Sequence, residues 1–154
     1  MLIKKTFFTN YIKIIDTSFQ GMVQERVQIN NEPAWLKYRA SSYWFSDDTK
    51  YWDDAEQVCK DKDSHLVSIK SDGENDFVLK NRKDKSIDTW IGAHRNGNDL
   101  NKWYWSNGEI VGFTSWKPGQ PNEVSQHCAA LHGDGDGLWH DTNCNRSFRY
   151  ICEK

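Results

Sequence analysis

Four cysteines, Cys59, Cys128, Cys144 and Cys152, constrain this chain more than any other feature of its sequence. They are even in number and fall in the C-terminal two thirds. No two have the C-x-x-C spacing of a zinc or redox motif, so disulfides are the reading they support. Four cysteines can pair in three ways, and the sequence by itself leaves all three open. Disulfides persist where thiols are not kept reduced, so a secreted or otherwise extracellular protein is expected. Residues 1–22 do not supply a matching export signal. Lys4 and Lys5 offer a charged start, but Asn10, Lys13 and Asp16 interrupt any apolar run; a leader missing from this sequence is the expectation, with unconventional export as the alternative. No stretch approaches the length of a bilayer span, so membrane insertion is not expected.

A chain of 154 residues is long enough for one domain with some excess and too short for two. Lys and Arg total 20 against 22 Asp and Glu, which leaves no basic face large enough for a phosphate backbone; nucleic acid is not an expected partner. The hydrophobic fraction is only 37%, yet it includes eight Trp, six Tyr and seven Phe, a concentration of large rings that favours β-rich packing.

Residues 1–30 show no clear hydrophobic period. From Trp35 the chain becomes organised, with Tyr38 and then Tyr43-Trp44-Phe45 reading as a first aromatic strand or hairpin. Trp52, Ala55 and Cys59 recur at i, i+3, i+7 among good helix formers and predict a first helix. Leu66-Val67-Ser68-Ile69 predicts a short strand. Ser71-x-x-Glu74 has the form of a capping box opening a second helix through Phe77, Val78 and Leu79. Trp90-Ile91-Gly92 and Trp103-Tyr104-Trp105 read as further strands, the latter turned by Ser106-Asn107-Gly108. Two early helices followed by strands without regular alternation predict an α+β domain with an antiparallel sheet.

These motifs, in this order, resemble the C-type lectin-like domain family from about Glu32 to Lys154. The resemblance is carried by Trp52-x-x-Ala55-x-x-x-Cys59, His65-Leu66-Val67-Ser68-Ile69, Glu74-Asn75-x-Phe77-Val78, Trp90-Ile91-Gly92 and Trp103-x-Trp105-x-Asn107-Gly108. It closes on Cys128-Ala129, Trp139-x-Asp141-x-x-Cys144 and Tyr150-Ile151-Cys152. It implies the C-type lectin-like fold, two helices packed on small antiparallel sheets with long irregular binding loops, over residues 32–154. Residues 1–31 are then an N-terminal extension with no assigned role. It also implies the pairs Cys59–Cys152 and Cys128–Cys144. The extra N-terminal disulfide of many members has no counterpart here, so the hairpin before Tyr43 is expected to rest on Trp35, Tyr38 and Trp44.

In sugar-binding members of that family a Glu-Pro-Asn or Gln-Pro-Asp triplet, a nearby Glu and a Trp-Asn-Asp motif hold calcium, which ligates sugar hydroxyls. Calcium takes six to eight oxygens, so ligands must converge from separate segments. This chain offers Gln120-Pro121-Asn122, Gln126 and Trp139-His140-Asp141. The resemblance therefore implies carbohydrate contacts at Gln120, Asn122, Glu123, Gln126, His140 and Asp141, and calcium ligands among Gln120, Asn122, Glu123 and Asp141. The triplet mixes mannose-type and galactose-type features. Gln126 replaces a carboxylate with an amide, and His140 puts an imidazole where an amide carbonyl is usual, a ligand suited to softer metals. With Asp141 the single matched carboxylate, calcium is expected to bind weakly or conditionally unless Glu123 turns inward. Arg95 stands where a second calcium site of the family has an Asp, which argues against an ion there.

Other constellations have blander readings. Asp134-Gly135-Asp136-Gly137 lacks the later bidentate Glu of an EF-hand and reads as a turn. The histidines show no paired metal spacing and no nucleophile accompanies them, so an enzyme is not expected. Trp90, Trp103, Trp105 and Trp139 read as core. The expected function is carbohydrate recognition on glycans or glycoproteins. Its rival is a calcium-independent protein- or surface-binding module on the same fold, since fold alone does not decide function.

Overall fold

The computed structural model describes residues 11–14, 26–29, 34–95, 97 and 99–154. The chain divides into two compact units, Met1–Pro33 and Ala34–Lys154. In the first, β1 (Tyr11–Ile14) and β2 (Arg26–Ile29) form an antiparallel pair with Tyr11 opposite Ile29. Four residues per strand are too few to stand out as a period of two, which is why the sequence of this region reads as featureless.

The second unit holds β3 (Leu36–Tyr38), β4 (Ser41–Phe45), α1 (Trp52–Asp61), β5 (His65–Leu66) and α2 (Asp72–Asn81). There follow β6 (Thr89–Arg95), β7 (Trp103–Tyr104), β8 (Cys128–Leu131), β9 (Trp139–Thr142) and β10 (Arg149–Glu153). The sheet runs β3-β4-β10-β6-β8-β9, with β5 paired to β10 and β7 to β6. One ladder departs from the expected antiparallel pattern. Arg149 and Tyr150 of β10 run parallel to Thr89 and Trp90 of β6, because the last strand enters the middle of the sheet and takes its direction from β4. The architecture is α+β on a mixed sheet.

Alternation along the strands divides the apolar residues between two cores, one on each face. Tyr43, Phe45, Ile91 and Ile151 join Val78, Trp103, Trp105 and Trp139 in one. Trp44, Trp90, Tyr150 and Cys152 join Trp52, Ala55 and Cys59 of α1 in the other. Both faces are thus covered, which explains strands such as Tyr43-Trp44-Phe45 that are apolar at every position. Gly92 is required at the centre: a Cβ there would lie 2.6 Å from the Leu66 carbonyl oxygen.

Two local expectations need correction. Regular pairing in the Leu66–Ile69 segment is confined to His65–Leu66. Val67 continues as buried extended backbone, donating to Ile151 O and accepting from Gly92 N. At α2, Ser71 Oγ accepts from Glu74 N at 3.3 Å, but the Glu74 carboxylate does not complete a reciprocal box. It accepts instead from Lys70 N at 2.8 Å and from the Tyr43 hydroxyl at 2.6 Å, tying the helix start to β4. Burial and this carboxylate push the Tyr43 phenol well above its ordinary range.

The disulfides are Cys59–Cys152, joining α1 to β10, and Cys128–Cys144, joining β8 to the segment after β9. The hairpin of β3 and β4 is held as expected by rings. Tyr38 stacks on Phe77 with centroids 4.6 Å apart, and Trp35 and Trp44 pack into the second core.

Candidate functional site

Between β7 and β8 the chain makes a long excursion whose last part, Gln120–His127, lies against β6 and β9. Asn122, Glu123, Val124 and Ser125 are all exposed, so few apolar contacts hold it down. Hydrogen bonds do so instead. Asp141, its side chain fully buried on β9, accepts from the Asn122 amide through Oδ1 and from the Glu123 amide through Oδ2, each at 3.1 Å. The Gln120–Pro121 peptide bond is cis.

A buried carboxylate needs a counter-charge, and Arg95 of β6 supplies it. Its Nη2 lies 3.4 Å from Asp141 Oδ2, with only 5% of its side chain exposed. Its Nη1 donates to the Glu123 carbonyl at 3.1 Å, and its own amide donates to the His127 carbonyl at 2.8 Å. The guanidinium carbon sits 4.7 Å from the Trp103 ring centroid, in cation–π range. One side chain thus joins β6, the loop and β9.

The expected site residues do not all converge. Asn122 and Asp141 are brought together, but through the Asn122 backbone amide, leaving its side chain exposed. The Glu123 carboxylate lies beside the Ser125 hydroxyl at 3.3 Å, while its amide points to Asp141. Gln120 is half-buried, its side-chain oxygen enclosed without a hydrogen-bond partner. Gln126 closes the loop through its amide, which donates to the Glu123 carbonyl at 3.1 Å. His140 lies on the opposite face of β9 from Asp141, because adjacent residues of a strand point to opposite sides. Its Nε2 lies 3.0 Å from Asp88 Oδ2, and its ring is 5.2 Å from that of His132. Burial would raise the Asp88 carboxyl, but the hydrogen bond and charge of His140 and the Gly133 amide outweigh it and hold the group below the usual range.

Two partners of the expected site residues carry no sequence signal of their own, Arg95 on Asp141 and Asp88 on His140. Arg95 was noticed only as an obstacle to one ion, and its pairing with Asp141, 46 positions on, carries no local signal. Asp88 meets His140 across 52 positions, which no local pattern marks. Asp134 and Asp136 form the expected turn, and both accept from Lys117, which holds the Asp134 carboxyl far below its ordinary range.

Beside the loop a cleft of about 260 Å³ opens between Leu100 and Asn101 on one wall and Pro121, Asn122 and Val124 on the other, with Arg95 and Trp103 at its base. Leu100 and Val124 expose apolar side chains at its rim.

The donor set does not fit calcium. Both oxygens of Asp141 are committed to amide N–H groups and a guanidinium, the Glu123 carboxylate faces Ser125, and His140 is directed to Asp88. Gln120, Asn122 and Gln126 contribute no charge, and a hard cation binds more weakly as ligand charge falls. Among the described residues no group of three or more His, Cys, Asp or Glu side chains is placed to hold a metal ion.

Comparison with known proteins gives a family match over residues 48–154, to the model described as Lectin C-type domain. Asialoglycoprotein receptor 1 of Rattus norvegicus is 36% identical over 129 residues, 77% of this chain and 43% of the receptor. The chain therefore spans less than half the length of that relative. Among solved structures, the carbohydrate-recognition domain of the mouse scavenger receptor C-type lectin is 32% identical with a TM-score of 0.72, covering 79% of this chain and 95% of that one. A calcium-independent type II antifreeze protein is 29% identical with a TM-score of 0.73, covering 79% of this chain and 92% of that one.

Proposed function

We propose that this chain, which belongs to the C-type lectin domain family, recognises glycans or glycoproteins through the Gln120–Gln126 loop without a bound calcium ion. Family members are binding proteins rather than enzymes. The observation that carries the reading is the way the loop is anchored. Asp141 holds it by the backbone amides of Asn122 and Glu123, so their side chains remain exposed. An amide and a carboxylate side by side offer donors and acceptors for sugar hydroxyls.

The proposed contact set is Gln120, Asn122, Glu123 and Gln126. Asp141 positions the loop. His140 is left out because its ring sits on the other face of β9 with Asp88. A metal that ligates the sugar directly, the finer expectation from the family resemblance, is disfavoured by Arg95 on Asp141. The two disulfides agree with an oxidising, extracellular setting. No helix among the described residues is long and apolar enough to cross a membrane.

The test is retention of the chain on immobilised mannose- and galactose-type glycans, with calcium and with chelator. Equal retention in both, lost in Asn122→Ala, is expected. A folded protein retained on no glycan overturns the reading. It would leave the second one, a protein- or surface-binding module, which the apolar rim of Leu100 and Val124 favours.

A further inference from the structure

We infer that Arg95 is a built-in cation: its guanidinium does permanently what an exchangeable metal ion would do on demand, holding the Gln120–His127 loop in its folded shape. The inference concerns loop order and stands whether the ligand is a glycan or a protein.

The charges require it. Asp141 is fully buried on β9, and a buried carboxylate is strongly destabilising unless it is paired and hydrogen-bonded. Two backbone amides and one guanidinium satisfy it here. The amides belong to the loop, so the same contacts that stabilise Asp141 fix Asn122 and Glu123 in space. Arg95 completes the arrangement from the other side. It donates to the Glu123 carbonyl from its side chain and to the His127 carbonyl from its backbone, so it reaches the loop at two points four residues apart. The planar fork suits this task, because one guanidinium can donate in two directions at once. An ammonium group on a flexible stem cannot hold both with the same geometry. Trp103 covers the guanidinium and keeps it from solvent.

The loop has little else to hold it, since Asn122, Glu123, Val124 and Ser125 are exposed. Remove Arg95, and Asp141 becomes an unpaired buried charge whose best remedy is to open and hydrate, releasing both amides. Replace Arg95 with Asp, and a second carboxylate faces Asp141 near the Glu123 carbonyl: oxygen ligands without a cation, the chemistry that takes up calcium.

The experiment uses the full chain with its disulfides intact and follows thermal melting with calcium and with chelator. For the unmodified protein the same melting temperature is expected in both. Arg95→Ala should melt about 10 °C lower, the scale expected when one partner of a buried pair is removed. Arg95→Lys should fall between. Arg95→Asp should melt low in chelator and rise with calcium concentration, as a ligand that binds only the folded state demands. A purely structural arginine would not confer that calcium response. Should Arg95→Asp fail to fold, hydrogen exchange at the Asn122 and Glu123 amides decides instead, with protection lost by roughly 100-fold in Arg95→Ala and much less in Arg95→Lys. A calcium-dependent shift in the unmodified protein, unchanged protection in Arg95→Ala, or a folded Arg95→Asp indifferent to calcium would each overturn the inference.

Discussion

The indole N–H of Trp139 on β9 donates to Asn75 Oδ1 on α2 at 2.9 Å, and the Asn75 amide donates in turn to the Gly137 carbonyl at 2.8 Å. One buried amide therefore ties the second helix to the strand that carries Asp141 and to the turn leading into it. Asn75→Leu leaves the indole N–H and the Gly137 carbonyl without partners. A loss of about 2–4 kcal/mol is expected, read from urea denaturation with an unchanged slope.

Asp141→Ala removes the counter-charge of Arg95 and both acceptors of the loop amides. Breaking a buried pair from one side costs about 3–5 kcal/mol, so this variant should lose stability as well as ligand retention. Asp141→Asn keeps one acceptor oxygen but turns an NH2 group toward an amide N–H, and should recover only part of the loss. Urea midpoints of the two variants provide the check.

Glu153 on β10 accepts from the Ser68 amide at 2.9 Å, and burial pushes its carboxyl above the usual range. Between the ordinary and the raised value the folded chain keeps a proton that the unfolded chain has released. Stability therefore falls as pH rises through that window and is level above it. Glu153→Gln keeps an acceptor for Ser68 and removes the ionisation. Its urea midpoint should exceed that of the unmodified protein at about pH 7, with the gap closing at about pH 4 where free carboxyls are protonated.

Peptide mapping of unreduced protein should recover Cys59 joined to Cys152 and Cys128 joined to Cys144. The loops closed span 93 and 16 positions, so the chain-entropy estimate assigns about 4.6 kcal/mol to the first and about 3 to the second. Reduction should lower the urea midpoint sharply. Replacing Cys128 and Cys144 together with Ser should cost less than replacing Cys59 and Cys152.

Much of this fold could be read before any coordinates. The i, i+3, i+7 spacing of Trp52, Ala55 and Cys59 is local information, as is the Ser71 cap, and both helices fall where those signals put them. Pairing direction is not local. Nothing within Arg149–Glu153 states that its start lies parallel to β6, and the expected all-antiparallel sheet follows from short-range patterns alone. The site divides along the same line. Asn122 and Asp141 could be found from the motif, but the motif does not say that Asn122 would present its backbone to Asp141. Arg95 reaches Asp141 across 46 positions, a relationship that exists only once β6, β8 and β9 are side by side. His140 is different, because its signal was present. Trp139 is buried on one face of a strand with Asp141, so the intervening residue had to face the other way.

The second and last strands of the second unit, β4 and β10, close on each other beside the chain's entry: Ser42 and Lys154 exchange both backbone hydrogen bonds, at 2.7 and 3.0 Å, and the Lys154 ammonium rests 4.1 Å from the ring centroid of Trp35, just before β3. Entry and exit are therefore a single stem. A short peptide from Lys154 back to Ala34 would close the polypeptide into a ring without disturbing a strand, and new ends opened at the exposed Lys83–Lys85 turn would give a circular permutant with both cores and both disulfides intact. By the same geometry, the unit can be spliced into a loop of a host protein as a pendant on one stalk. Both connections to the host would leave from neighbouring points, Ala34 and Lys154, so a host loop need span only a short gap to carry the domain.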